Sequence, residues 1–184
     1  MNPGRGRTGA LAVAISLAVI LVGVVGCGDE AESDVVEGEP LELGDLKLNV
    51  QITRFLNPND REDGDYLAGQ QVPPPAGQEY LGVFIEIDND GSQDARLPTA
   101  ADLSVVDTTG QAFEAVDSDS PFALDLGGSI DAHSEVPEPD TPAASGPTQG
   151  TIVLFLVPGN IGENRPLELE VSYRGEDGTI ELDI

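Results

Sequence analysis

From Leu46 onward the chain alternates. Leu46, Leu48, Val50 and Ile52 are apolar, while Lys47, Asn49, Gln51 and Thr53 between them are polar. A period of two predicts a strand with one buried face. Leu81, Val83, Ile85 and Ile87 repeat the pattern, with Phe84 on the opposite face. Leu103, Val105 and Val106 lead through Asp107-Thr108-Thr109-Gly110 into Ala112, Phe113 and Val116, a hairpin signature. Ile152 to Val157 is apolar without a break, the mark of a central strand covered on both faces. Leu167, Leu169, Val171 and Tyr173 alternate with Glu168, Glu170, Ser172 and Arg174. Glu176-Asp177-Gly178 is the expected turn into Ile180, Leu182 and Ile184. No segment carries a helical stripe at i, i+3, i+4, i+7. The expected fold is all-β, an antiparallel β-sandwich of about seven to nine strands. Two polar connections, Asn57 to Gln78 and Asp117 to Pro147, are long enough to read as functional or disordered loops.

The N-terminal pattern is different. Arg5 and Arg7 precede an uncharged run from Gly9 to Gly26 dominated by Ala, Val, Leu and Ile, which ends in Val24-Val25-Gly26-Cys27. That is the layout of a secretory signal peptide over 1–26. Its last four residues resemble the lipobox of bacterial lipoproteins, which implies acylation of the Cys27 thiol and cleavage before it. Two acyl chains anchor stably where one does not. Cys27 is the single cysteine of the chain, so no internal disulfide competes for it. An uncleaved anchor helix and an ordinary secreted protein are the alternatives; eighteen apolar residues are near the lower limit for spanning a bilayer. The lipoprotein reading places the remainder on the extracytoplasmic side. Residues 27–40 carry six acids and no base from Gly28 on and read as an acylated cysteine followed by a disordered tether. Residues 41–184 are then the β-sandwich.

Within that sandwich the stretch Tyr80 to Gly91, the hairpin Asp102 to Val116, and the closing segments Gly150 to Pro158 and Pro166 to Tyr173 resemble a telokin-like domain of bacterial lipoproteins. The resemblance implies an immunoglobulin-like fold. The family is catalogued as a domain of unknown function and brings no catalytic residues. The insertion from Asp117 to Pro147 departs from its compact pattern.

Charge narrows the function. The 184 residues hold 8 Lys and Arg against 34 Asp and Glu, a formal net charge of −26. No basic stripe exists for phosphate binding, which excludes a self-sufficient nucleic-acid binder. A cationic protein or envelope polymer is the partner such a charge attracts. Between Leu97 and Asn164 there are eleven acids and no Lys or Arg.

Catalytic chemistry is poorly supplied. The only histidine, His133, lies in Asp131-Ala132-His133-Ser134-Glu135, but residues adjacent in sequence point in different directions, so no triad follows. One histidine and no free cysteine do not make a zinc site. Calcium is the candidate cofactor. Glu86-x-Asp88-x-Asp90-Gly91 carries oxygen ligands at alternate positions before a glycine, although Leu97 stands where a closing glutamate belongs. Asp60, Asp63 and Asp65 form a second acidic segment, and Asp117-Ser118-Asp119 a third. The reading is a non-catalytic binding module of the cell envelope, anchored to the membrane by lipid. A calcium-dependent surface module and a carboxylate-based hydrolase are the alternatives.

Overall fold

The alternating segments pair into two stacked layers. The computed structural model describes residues 34–184; the signal segment 1–26, Cys27 and tether residues 28–33 lie outside the described residues. In chain order the strands are β1 (Asp34–Val36), β2 (Pro40–Leu43), β3 (Leu46–Leu56), β4 (Gln78–Asn89), β5 (Ala95–Arg96), β6 (Leu103–Val106), β7 (Ala112–Val116), β8 (Ser129–Ile130), β9 (Glu135–Val136), β10 (Thr151–Pro158), β11 (Leu167–Tyr173) and β12 (Glu176–Leu182). Two short helices, α1 (Arg61–Tyr66) and α2 (Pro142–Ser145), stand in the long connections. None of the described helices is long and apolar enough to cross a membrane.

Hydrogen bonds run along one path, β1-β12-β11-β6-β7-β10-β4-β3-β2, with β9 added beside β4. The path folds into a sandwich at β7. Residues Ala112 to Glu114 pair with β6, whereas Ala115 and Val116 pair with β10, so one strand serves both layers. The first sheet is therefore β1, β12, β11 and β6, and the second is β10, β4, β3 and β2. Leu48, Val83, Ile85, Phe155, Leu169, Val171 and Ile180 are among the fully buried side chains between them.

On the opposite side the chain crosses between the sheets from β1 to β2. Glu37 fastens the crossing: its N–H donates to the Glu181 carbonyl at 2.8 Å, and its carboxylate accepts from the N–H of Thr53 and of Asp183, each at 3.2 Å. This corrects the tether expected over 27–40. Residues 34–36 form a strand parallel to β12, with Val35 buried between the exposed Asp34 and Val36 as one more inward side chain. The other named strands of the sandwich pair antiparallel, as expected.

Two further expectations shift. Ile52 faces solvent at 40% exposure and Thr53 is buried at 4%, the reverse of the alternation. A bulge between Val50 and Ile52 inserts Gln51 into β3 and flips the phase of the residues beyond it. The β11–β12 hairpin turns at Arg174-Gly175, two residues before the Asp-Gly pair, with φ of 51° and 90°. Those positive angles fit the right-handed strand twist. Gly178 instead sits inside β12, where a Cβ would stand 2.7 Å from a methyl of Leu41 across the core. The β6–β7 turn is where it was expected. Asp107 organises it by accepting from the Thr109 hydroxyl at 2.6 Å, the Thr109 N–H at 2.8 Å, the Gln111 N–H at 3.1 Å and the Asn164 amide at 3.0 Å. The Thr109 hydroxyl above all holds the Asp107 carboxyl below its usual value, against the opposing effect of burial.

β10 is buried on both faces, and so is β4. Tyr80, Phe84, Ile152 and Leu154 point outward from the second sheet and form a second apolar cluster with Leu56, Tyr66 and Leu67. The two long connections supply its cover. Asp60 caps α1 by accepting from the N–H groups of Glu62 and Asp63 at 2.9 and 3.4 Å. The helix turns Tyr66 inward, edge-on to Phe84 at 5.1 Å and to Phe122 of the second connection at 5.0 Å. Ser120 Oγ donates to the Asp65 carbonyl at 2.9 Å and Gln70 to the Asp117 carbonyl at 2.7 Å, so the two connections bind each other. The first connection and residues 117–123 of the second thus form a third layer over this sheet.

Arg54 pins that layer. It meets the buried Asp63 at 2.6 Å and Glu62 at 3.5 Å, and its guanidinium lies 5.6 and 5.5 Å from the ring centres of Tyr66 and Phe84. Asp63 also accepts the Asn57 N–H at 2.7 Å. Removing the arginine strands a buried carboxylate, a change that costs about 3 kcal/mol. Arg54→Ala is therefore expected to lower the urea unfolding free energy by about that amount and to expose 57–72 to proteolysis; a loss below about 1 kcal/mol would show that the pair does not hold the layer.

Candidate binding cleft

Strand β4 ends at Asn89, and the chain beyond it builds a cleft. Asn89 is 1% exposed, because its side chain replaces the ladder that the strand has left. Its amide donates to the carbonyls of Gln93 at 2.9 Å, Asp131 at 3.0 Å and Ile130 at 3.3 Å, and its oxygen accepts the Gly91 N–H at 3.0 Å. Gly91 must be glycine: a Cβ there would stand 2.9 Å from both Asn89 Oδ1 and Asp45 Cβ. The small β5–β8 sheet and the pairing of β9 with Ile87 and Asp88 bring the segment 129–139 alongside.

The resulting cleft has a volume of about 670 Å³. Asp88, Asp90, Asp131, Glu135 and Glu138 line it with His133, and among the described residues no Lys or Arg does. His133 adopts a positive φ of 56° in the turn between β8 and β9. Next to it a smaller pocket of about 170 Å³ lies between Glu86, Asp88, Glu135 and Ala144 of α2. Asp88 stands in register between Lys47 of β3 and Glu135 of β9. Glu86 lies two residues along on the same face and accepts from Gln51 Nε2 at 3.1 Å. Burial first, then the charges of Asp88 and Glu135, raise the Glu86 carboxyl above its usual value.

The structure disperses the sequence candidates. Asp88 and Asp90 both reach the cleft. Asp60 is a helix cap, Asp63 is engaged by Arg54, and Asp65 is exposed beyond them, so this acidic segment is a capped helix and does not converge on a point. Among the described residues no group of three or more His, Cys, Asp or Glu is arranged to hold a metal ion. Cys27 lies outside the described residues. Asp131, Glu135 and Glu138 had not been singled out, since pairing of β9 with β4 is what brings them to Asp88. For the capping role of Asn89, the available signal was a strand ending in Asn with Gly two residues later. Chemically, the cleft offers acceptors and negative charge to a cationic group. The Glu86 pocket is below the roughly 300 Å³ at which ligand sites begin.

No family model and no curated protein matches the sequence. Solved structures do share the architecture. An uncharacterized β-sandwich protein from Clostridium difficile 630 aligns with a TM-score of 0.50 at 16% identity, over 83% of this chain and 95% of that one. The yjhA protein from Bacillus subtilis aligns with a TM-score of 0.50 at 12% identity, over 81% and 99%. MPT63, a secreted protein from Mycobacterium tuberculosis, aligns with a TM-score of 0.52 at 13% identity, over 82% and 97%. At such identities the likeness is one of fold: the chain is a β-sandwich of a kind found in several bacteria.

A carboxyl whose pKa is raised on folding costs stability above its folded pKa, and the cost fades as the pH falls to the unfolded value near 4.5. Glu86→Gln is thus expected to raise the Tm at neutral pH and to leave it unchanged below pH 4.5. Thermal melts across that range check the sign, and a lowered Tm at neutral pH would contradict it.

Proposed function

We propose that the protein is a non-catalytic binding module on the extracytoplasmic side of the cell membrane, anchored through acyl chains on Cys27, whose cleft receives a cationic group from a protein or an envelope polymer. The cleft carries this reading: five carboxylates and a histidine line one concavity that, among the described residues, has no Lys or Arg. Field lines focus in such a concavity and favour cations over anions. The apolar run ending at Cys27 supports the location, and the neighbour described as a secreted protein is compatible with it. We also group the domain with the telokin-like lipoprotein domains on the strand and turn patterns that resemble them. A hydrolase would need two carboxylates around a substrate-sized space, and Glu86, whose pKa is raised, lines the small pocket.

Cys27→Ala is expected to abolish acyl labelling and to move the protein from the membrane fraction to the soluble one; undiminished labelling would overturn the anchor. For the cleft, the triple substitution Asp131→Asn, Glu135→Gln, Glu138→Gln is expected to weaken spermidine binding about tenfold by calorimetry, with the fold intact by circular dichroism. Unchanged affinity would remove the cleft from the account. A Tm raised by calcium well beyond the effect of magnesium would favour the calcium-dependent alternative instead.

A further inference from the structure

The wall of the cleft is lightly held. Strand β9 meets β4 through two ladder pairs, Ile87 with Val136 and Asp88 with Glu135. The Asn89 N–H extends the ladder by donating to the Ser134 carbonyl at 2.9 Å. Beyond β9, Ala144 of α2 closes the small pocket that Glu86 lines. The ion pairs among the described residues are made by Arg54 and Arg174, and none reaches this segment.

The seam also works against itself. Asp88 and Glu135 stand directly opposite each other, a like-charge pair that opposes the strand pairing it belongs to. Glu86 adds a third carboxylate to their pocket. Strand β3 supplies the facing groups: Lys47 across from Asp88, Asn49 across from Glu86, and Gln51, which donates to Glu86 Oε2 at 3.1 Å. From α2 comes no titratable side chain, and on the wall itself Glu138 and His133 face the cleft. One atom beside Glu86 is left over. Asn49 Oδ1 is buried without a hydrogen-bond partner, although residues directly opposite in a ladder are close enough to bond through their side chains. A carboxylate only accepts, whereas a protonated carboxyl also donates.

We propose that Glu86 is a proton-operated catch for the wall of the cleft: a proton taken from solvent seats the segment 131–145 on β4, and its loss loosens that segment. Gln51 occupies Oε2, so a proton on Oε1 supplies the donor that Asn49 Oδ1 lacks, and it removes one of three crowded charges. The sign follows from what opening does. Lifting β9 and α2 away takes Glu135 and the cover of Ala144 from Glu86, and burial first, then the charges of Asp88 and Glu135, are what raise its carboxyl. In the open form the carboxyl returns toward its usual 4.5, so closing takes up a proton and is favoured as the pH falls from neutrality toward that value. For the cleft this is regulation, and that consequence rests on the function proposed above, because the moving wall carries Asp131, Glu135 and Glu138. The catch itself needs no ligand.

Native-state hydrogen exchange by NMR tests it, on the full acylated chain in neutral detergent with no cationic ligand added, so a failure of the cation reading leaves the result untouched. The Asn89 amide reports the seam, and the Val171 amide of β11 reports global unfolding. Corrected for intrinsic rates, protection at Asn89 is expected to rise by about three- to fivefold from pH 7.5 to pH 5.0, the worth of one cross-strand charge pair, while Val171 changes less. Glu86→Gln is expected to show the raised protection already at pH 7.5 and to lose the pH dependence, and Glu114→Gln, which removes the same charge from the first sheet, to behave as the unaltered chain. His133 is present in all three proteins, so the comparison isolates Glu86. A pH dependence that survives in Glu86→Gln would overturn the proposal, as would protection at Asn89 that stays flat or falls on acidification. Parallel changes at Asn89 and Val171 would overturn it too, since they assign the effect to the whole fold.

Discussion

Two strands that are apolar on both faces constrain everything else in this fold. β4 and β10 lie side by side, and their inward residues fill the sandwich while Tyr80, Phe84, Ile152 and Leu154 face outward. A sheet with such an outer face cannot be left in water. The two long connections must therefore fold back over it, and Arg54 is where they are fastened, with a charge, two ring faces and a buried carboxylate at one point. The first sheet has no such demand. Its outward positions are polar or acidic, so it needs no roof.

Charge follows from that asymmetry. The roofed side spends two acids on structure: Asp60 as a cap and Asp63 as an ion-pair partner. The acids of the bare sheet and of the cleft are largely without such tasks. Glu86 and Asp107 show the two ways a carboxylate is treated inside one fold. Burial and then neighbouring acids raise the first, while hydroxyl and amide donors lower the second. Acidification therefore acts on them with opposite sign, relieving the cost at Glu86 and removing the support at Asp107.

Much of the sandwich was legible because burial on one face imposes a period of two, which β11 obeys throughout and β12 from Asp177 onward. Legibility failed where a single residue changes the phase. Gln51 carries no mark that it is the extra residue of a bulge, so Ile52 was assigned to the core. β1 has three residues and was lost in an acidic stretch, although its Val35 is buried. Of the cleft, only Asp88, Asp90 and His133 could be noticed in the sequence. Its other acids arrive through a two-residue strand, β9, whose pairing depends on contacts nearly fifty residues apart in the chain. Long polar connections look alike whether they hang loose or roof a sheet, and only the outward aromatic residues of β4 betray the difference.

The account rests on acids gathered at particular places, with cations recognised there and not over the whole surface. Backbone amide NMR of the full chain in detergent, titrated with a lysine-rich peptide, reads this directly. The largest shift changes are expected at 88–90 and 131–138, with little change at 60–65 and 117–125. Changes spread over all acidic segments in proportion to their charge would contradict it.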